Sequence, residues 1–435
     1  MAASPSDDLS IGIDFGTSNT ILAVARPGEA ARVLRFEHGG ESLATYITAL
    51  CYWQERVKGV QTNRVEGGPW AVDAFLQGLG PLRFIQSFKT FAASAAFQDT
   101  RIFGEKMRFE DLLTGFLRTA LRHAGLDIAG RRIVMGRPVR FAGAAPDDAL
   151  ALQRYRLALE RLGVAHVDPV YEPVGAAFYY ARTLTKAATI LVADFGGGTS
   201  DFSVLRFEPG GSGVRARPLG HAGIGIAGDT FDYRFIDKVV SPRLGKSAHY
   251  RSFGKSLPIP GHFFANFARW NQLSMMKANG DLKELCDLAR SADQREELER
   301  FIEIIEYDLG FELYRSVSAT KRALSGADSA PFVFRSGGVD IAGTVTRAAF
   351  ESWIADDVAR IAETLRQALD AAGTPAAGID RVFLTGGTSL IPAIRRLFVE
   401  QFGAERLSSG AEFESIASGL ALIGHAPDLQ DWTAG

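Results

Sequence analysis

At 435 residues the chain is too long for one ordinary hydrophobic core, and two or more lobes are expected. It is 46% hydrophobic and 23% charged with a net charge of −2, a globular balance that pulls toward neither nucleic acid nor an anionic membrane. Cys51 and Cys286 lie far apart and form no CxxC pair, and no apolar run approaches the ~18–20 residues of a membrane span, so a reducing, cytoplasmic setting is expected.

Residues 1–10 are small, polar and acidic, which predicts a flexible tail rather than a signal peptide. Residues 11–14 (IGID) and 19–25 (NTILAVA) bracket the turn FGTS and predict a β-hairpin. Residues 131–135 (RRIVM) look like a short buried strand. Residues 147–162 carry Leu150, Ala151, Leu157, Ala158 and Leu162 at roughly helical spacing and end at Gly163. Glu172-Pro173 opens EPVGAAFYYA, whose small residues would let two helices or lobes approach closely. Its carboxylate either fills an acidic first turn or faces a metal cluster.

Residues 190–194 (ILVAD) and 201–206 (DFSVLR) bracket FGGGTS and predict a second hairpin, with 186–189 as the crossover into it. Asp14-Phe15-Gly16 and Asp194-Phe195-Gly196 head the two hairpins, an internal repeat that implies two related lobes. The stretch 241–264, with Pro242, Pro258 and Pro260, reads as an irregular insertion. Phe253, Phe263, Phe264, Phe267 and Trp270 crowd it, as a subdomain core or as a docking surface. Residues 281–324 read as helices. Residues 381–385 read as a strand, followed by Gly386-Gly387 and a helix through about residue 399; a short polar tail follows His425.

Polyphosphate is held by backbone N–H groups, hydroxyls, a lysine and a metal. The segment 194–201 (DFGGGTSD) supplies three glycines, two hydroxyls and a carboxylate at each end; 14–18 (DFGTS) supplies a glycine, two hydroxyls and a carboxylate. Either loop alone reads equally well as an ordinary turn. Together, at matching positions, they suggest two loops gripping phosphates from both sides, with Asp14 and Asp194 holding Mg²⁺ through water. The protein-kinase reading of DFG lacks an HRD segment. Gly245-Lys246-Ser247 and Gly254-Lys255-Ser256 lack the earlier glycine of a Walker loop, since Val240 and His249 stand there. Gly223, Gly225 and Gly228 spell GxGxxG with no acidic residue near 248. The segment 384–389 (LTGGTS) suits either a nucleotide or a capped glycine turn.

Together these segments resemble the actin, sugar-kinase and heat-shock-chaperone superfamily, above all the nucleotide-binding part of the DnaK-type chaperones (the heat shock protein 70 family). IGIDFGTSNTILAVA is similar to their first phosphate loop, Glu172-Pro173 to their hinge helix, and DFGGGTSDFSVL to their second phosphate loop. Gly228–Asp232 resembles their GGxxFD segment, Lys321–Ser325 their KxxLS helix, and Leu384–Pro392 their adenosine loop. The resemblance implies an α/β, actin-like two-lobed ATPase fold with duplicated ribonuclease-H-like cores and a central nucleotide cleft. Lobe I would span 11–185, with an insertion about 38–110. Lobe II would span 186–411, with an insertion about 229–330. Residues 412–425 would form a helix returning to lobe I, and 426–435 a tail.

The implied activity is Mg²⁺-dependent hydrolysis of ATP to ADP and phosphate, with lobe closure as output. The match implies that Asp14 and Asp194 organise Mg²⁺. Gly16, Thr17, Ser18, Gly196, Gly197, Gly198 and Thr199 would contact phosphates. Lys89 would reach the γ-phosphate, with Glu172, Asp201, Thr199 and Asp14 around the attacking water. Gly228, Asp229, Lys321, Arg322 and Ser325 would face the nucleoside, with Gly386, Gly387 and Thr388 closing the pocket. For Lys89 the alternative is a solvated surface lysine.

Two positions depart from the family pattern. Ser318 stands where a glutamate is usual, and Leu390 where an arginine packs on adenine. No apolar linker or β-rich peptide-binding domain is expected after the fold, so the chain resembles the short bacterial proteins called YegD-like. ATP and a separate protein partner, reached through residues 240–310 or the cleft, are the expected partners; nucleic acid and membrane are not. A non-hydrolysing nucleotide-gated switch and a small-molecule kinase are the alternatives.

Overall fold

The computed structural model describes residues 8–78, 81–143, 145–181, 186–210, 213–273, 275–277, 279–408 and 415–426. They form a mixed α/β protein of two compact units. The first draws on Met1–Ala227, Ile361–Ser389 and Arg395–Gly435, the second on Gly228–Arg360 and Leu390–Ile394.

Two sheets in the first unit share one strand order. In one, Ser10–Phe15 pairs antiparallel with Asn19–Ala25, which pairs antiparallel with Arg32–Val33. On its other side Ser10–Phe15 pairs parallel with Arg132–Arg137, and that strand pairs parallel with Val167–Tyr171. In the other, Ala188–Phe195, Ser200–Gly210 and Gly213–Ile224 form the antiparallel meander. Arg381–Thr385 and then Leu407–Ser408 add in parallel. Strands covered on both faces need continuous apolar runs. ATILVADF at Ala188–Phe195 satisfies this and is buried at every position.

The small residues read from EPVGAAFYYA have the packing role expected of them. Helix Glu172–Ala181 lies against helix Ser415–Ile423 so closely that a Cβ on Gly419 would sit 1.7 Å from the Gly175 carbonyl oxygen. A Cβ on Gly12 would sit 2.2 Å from the Ala417 carbonyl oxygen, so the same helix seats on the first sheet. Residues 412–414 and 427–435, including Leu429 and Trp432, lie outside the described residues.

The stretch 241–264 corrects the expectation of an irregular insertion. It holds the 3-10 turn Ser241–Leu244, a hairpin of His249–Ser252 with Lys255–Pro258, and helix Gly261–Phe267. Its prolines punctuate these elements rather than dissolving them. Pro242 sits in a first turn, Pro258 ends a strand, and Pro260 precedes a helix, places where a missing N–H costs little. Phe263, Phe264 and Phe267 are buried, and the last two rings pack on Phe301 at 5.0 and 4.8 Å. The core reading therefore holds for these three, whereas Phe253 is fully exposed. The side chain of Trp270 lies outside the described residues.

Two smaller differences follow from local chemistry. After Gly387 the chain makes a 3-10 turn to Leu390, and the helix runs Pro392–Phe402, beginning where proline fits the first helical position. The crossover at 186–189 is shorter than expected, because the strand already begins at Ala188. Helix Asp148–Glu160 starts on Asp147, whose side chain accepts from Leu150 N at 2.9 Å. Its buried face is Ala151, Arg154, Tyr155, Ala158 and Leu159, so Leu150 and Leu157 fall on its rim. Among the described residues no helix is long and apolar enough to cross a membrane.

Candidate functional site

The two aspartate-headed hairpins turn alike. Phe15 pairs with Thr20 and Phe195 with Ser200, so four residues close each loop, Gly16–Asn19 and Gly196–Thr199. Asp14 and Asp194 each stand one residue before the closing phenylalanine. A Cβ on Gly16 would lie 2.2 Å from the Asn19 carbonyl oxygen, so only glycine fits this turn. In the second loop Gly196 N donates to Thr199 O at 2.9 Å. The loops meet: a Cβ on Gly198 would stand 3.2 Å from Thr17 Oγ1.

Each loop is braced, the first by Thr48, which motif reading passed over, and the second by the segment 384–389. Thr48 N donates to Ser18 O at 2.9 Å and Thr48 Oγ1 to Gly16 O at 2.8 Å. Thr385, the register partner of Asp194, donates its hydroxyl to Asp194 Oδ1. Thr388 Oγ1 donates to Gly196 O at 3.4 Å. Gly386, at φ +79°, allows an approach in which a Cβ would lie 2.0 Å from the Phe195 carbonyl oxygen. Gly387 then begins the 3-10 turn. The third loop thus supports the second.

Beneath the loops lies a buried charged cluster. Lys89 Nζ pairs with Glu172 Oε1 at 2.8 Å, and the lysine side chain is only 7% exposed. This excludes the solvated-surface reading of Lys89. It sits on the 3-10 turn Phe88–Phe91, after Ser87 at φ +54°. Arg154 braces that turn and the chain after it, donating to the carbonyls of Phe91, Ala92, Ser94 and Phe97 at 2.9, 2.8, 3.1 and 2.6 Å. An arginine at helical spacing between Ala151 and Ala158 was the available signal for this role. Tyr155, its neighbour, carries a buried hydroxyl with no hydrogen-bond partner among the described residues.

The electrostatics show a surplus of negative charge. Burial, then Glu172 and Asp194, raises the Asp14 carboxyl well above the usual range against the opposing pull of Lys89. Burial and Glu172 push Asp194 up to about 6, partly offset by Thr385 and Lys89. Burial, Glu172 and Asp194 push Asp201 up to about 8, against hydrogen bonds from Thr199 and the Arg140 N–H. Burial alone would lower Lys89, but Glu172, Tyr155 and Asp14 overcome it and raise it.

Asp201 Oδ1 accepts from Val139 N at 2.8 Å and Arg140 N at 3.2 Å, while its buried Oδ2 has no hydrogen-bond partner among the described residues. Four carboxylates around one lysine, with one oxygen orphaned, fit a hydrated divalent cation, which supplies both charge and O–H donors. Among the described residues no group of three His, Cys, Asp or Glu is placed to chelate an ion. An ion here would therefore keep water or phosphate oxygens in its shell.

The second unit carries the remaining expected residues. Lys321 Nζ pairs with Asp232 Oδ1 at 2.6 Å and donates to Gly228 O at 3.3 Å, at the start of helix Gly228–Phe235. Burial, then Asp232, pushes Asp229 up to about 7, offset by Lys321. Ser325 Oγ donates to Lys321 O at 3.3 Å within its own helix, Arg322 is exposed, Ser318 is half-buried, and Leu390 is 48% exposed.

A family model described as Hsp70 protein matches residues 310–428. Over these residues the chain is similar to the Hsp70 family. The Hsp70 match covers helix Gly310–Gly326 with Lys321, Arg322 and Ser325, the strand Arg381–Thr385 with its glycine loop, and helix Ser415–Ile423. Asp14, Lys89, Glu172, Asp194 and Asp201 precede it in the chain.

Proposed function

We propose that the protein is a Mg²⁺-dependent ATPase that hydrolyses ATP to ADP and phosphate and passes the resulting lobe closure to a separate protein, in the cytoplasm. One observation carries this reading: two matched loops, each headed by an aspartate that interacts with Lys89 and Glu172, meet at Gly198 and Thr17. The shared strand order of the two sheets supports duplicated ribonuclease-H-like cores, with lobes at 11–185 and 186–411 and the nucleotide in the cleft between them.

On this reading Thr17, Ser18, Thr199 and the N–H groups of Gly197 and Gly198 bind phosphate oxygens. Asp14 and Asp194 orient the water shell of Mg²⁺, which supplies charge neutralisation when bound. Lys89, held by Glu172, stabilises charge on the γ-phosphate. The orphaned Asp201 Oδ2 takes a proton from the attacking water. Gly228, Asp229, Lys321, Arg322 and Ser325 contact the nucleoside, with Gly386, Gly387 and Thr388 behind the phosphates.

A second reading, a switch that binds ATP without turnover, is favoured by one feature. Exposed Leu390 offers adenine no cation, and Ser318 offers no carboxylate. Phosphate release from Mg²⁺-ATP, measured with and without sugar acceptors, separates the readings. Release independent of acceptor supports the ATPase. Binding without release supports the switch. ADP formed only with an acceptor, the phosphoryl group passing to that acceptor and no free phosphate appearing, supports a kinase and overturns the proposal.

A further inference from the structure

The hairpin His249–Ser252/Lys255–Pro258 turns on two residues, Phe253 at φ +48° and Gly254 at φ +77°. A two-residue turn with both φ values positive favours Asn-Gly or Asp-Gly, and phenylalanine is a poor choice at its first position. The same conformation recurs at Phe103-Gly104 and Lys58-Gly59. Phe103 is half-buried and packs on the core of the first unit. Lys58 is exposed and charged, as a surface turn permits. Phe253 alone puts a large apolar ring in this backbone and leaves it fully exposed, beside the 38% exposed Leu257. Neither folding nor solubility accounts for it.

The charge along the hairpin's own segment is one-sided, although Asp293 accepts from His249 N at 2.9 Å at the hairpin's base. Residues 238–262 contain five Lys or Arg and no Asp or Glu, within a chain of net charge −2. Lys246 pairs with Asp237, whereas Arg251 and Lys255, which flank Phe253, are exposed with no ion-pair partner among the described residues. An aromatic ring ringed by unpaired cations has the make-up of an interface anchor.

We propose that this hairpin is a docking finger for an acidic protein partner, whose apolar pocket takes the Phe253 ring and whose rim carboxylates pair with Arg251 and Lys255. The chemistry favours a protein over other polyanions. Single-stranded nucleic acid stacks successive bases on several exposed aromatics, and here one ring is offered. A membrane surface calls for a broader apolar face, and Phe263, Phe264 and Phe267 are buried. The inference takes from the proposed function only that a partner receives the output. Docking itself needs no nucleotide, so the binding measurements on purified proteins contain none.

The test uses the full chain in two arms. Phe253→Asn restores the favoured turn sequence, so its thermal midpoint should equal or exceed that of the wild type; a clear fall would show that the ring serves folding and would overturn the proposal. In the second arm the photo-crosslinker p-benzoylphenylalanine replaces Phe253 in growing cells, with Lys58 as the matched control turn. A discrete protein adduct is expected from 253 and not from 58, with the crosslink on an acid-rimmed apolar pocket. The purified adduct partner should bind Phe253→Asn and Arg251→Glu/Lys255→Glu at least about tenfold more weakly than the wild type. Lysine substitutions in its rim should restore binding of the charge-reversed chain. No discrete adduct, a nucleic acid or lipid adduct, or undiminished binding by Phe253→Asn would each overturn it.

Discussion

Lys89–Glu172 in the first unit and Lys321–Asp232 in the second each set a lysine against a buried carboxylate, at 2.8 and 2.6 Å. Their neighbourhoods differ. Around Lys89 stand Asp14, Asp194 and Asp201 as well, all with carboxyls pushed upward, and one Asp201 oxygen has no hydrogen-bond partner among the described residues. Around Lys321 the further acid is Asp229, and the lysine also caps back onto the Gly228 carbonyl. The first pair is embedded in a charge imbalance that calls for a cation. The second sets two acids, Asp229 and Asp232, both raised by burial, against one lysine, and holds a helix start. On the proposed function these similar ion pairs have different duties, chemistry in one unit and ligand contact in the other.

The largest expected contrast is kinetic. Lys89→Ala and Asp194→Ala should each cut phosphate release by ~10²–10³, the usual worth of a positioned electrostatic group. Lys321→Ala should instead raise KM for ATP with a smaller change in kcat. Equal kcat losses at both lysines would erase the distinction between the pairs.

Next comes the brace on Asp194. Thr385→Val keeps the shape and removes a hydrogen bond to a charged group, worth about 1.5–3 kcal/mol. Turnover should fall about tenfold or more, and the Asp194 carboxyl, observed by carbonyl-region NMR, should titrate above about 6. An unmoved titration would show that Thr385 does not hold that charge.

Stability against pH gives a third contrast, for protein without nucleotide or Mg²⁺. Burial pushes Asp194 up to about 6 and Asp201 up to about 8 from the ordinary 3.8, so the folded state holds protons that the unfolded state has lost. Stability must then fall as pH rises from about 4, to about 6 for Asp194 and to about 8 for Asp201. Denaturant midpoints should show this slope, and Asp201→Asn should flatten its upper part. A midpoint that rises with pH across that window would contradict the charge imbalance.

The smallest effect concerns Leu390. Leu390→Arg would offer a cation to adenine, a contact of roughly 0.5–2 kcal/mol, and should tighten ATP a fewfold by calorimetry. Unchanged affinity would mean that another group already fills that place.

The glycine hairpins were legible in the sequence because a turn needing close backbone approach leaves so few residue choices. Asp14, Asp194 and the loops between them could be placed from Gly16 and Gly196–Gly198 alone. Lys89 was legible only by likeness, since nothing local distinguishes SFKTF from a surface segment; its burial depends on Glu172, 83 positions away. The bracing roles of Thr48, Thr385 and Arg154 stayed hidden for the same reason. A threonine becomes a brace only when strand pairing sets it beside an aspartate, and Arg154 only when its helix face turns inward. The prolines of 241–264 misled in the opposite direction, because residues that mark the ends of elements were read as marking their absence.

The central claim is that Asp14 and Asp194, on separate hairpins, serve one hydrated ion bound to nucleotide phosphates. Calorimetry of ATP binding with and without Mg²⁺, on wild type, Asp14→Asn, Asp194→Asn and the double variant, tests it most directly. The account predicts that each single substitution abolishes the gain in affinity from Mg²⁺, and that the double variant is no worse than either. Independent, additive losses, or a Mg²⁺ gain that survives either substitution, would contradict it.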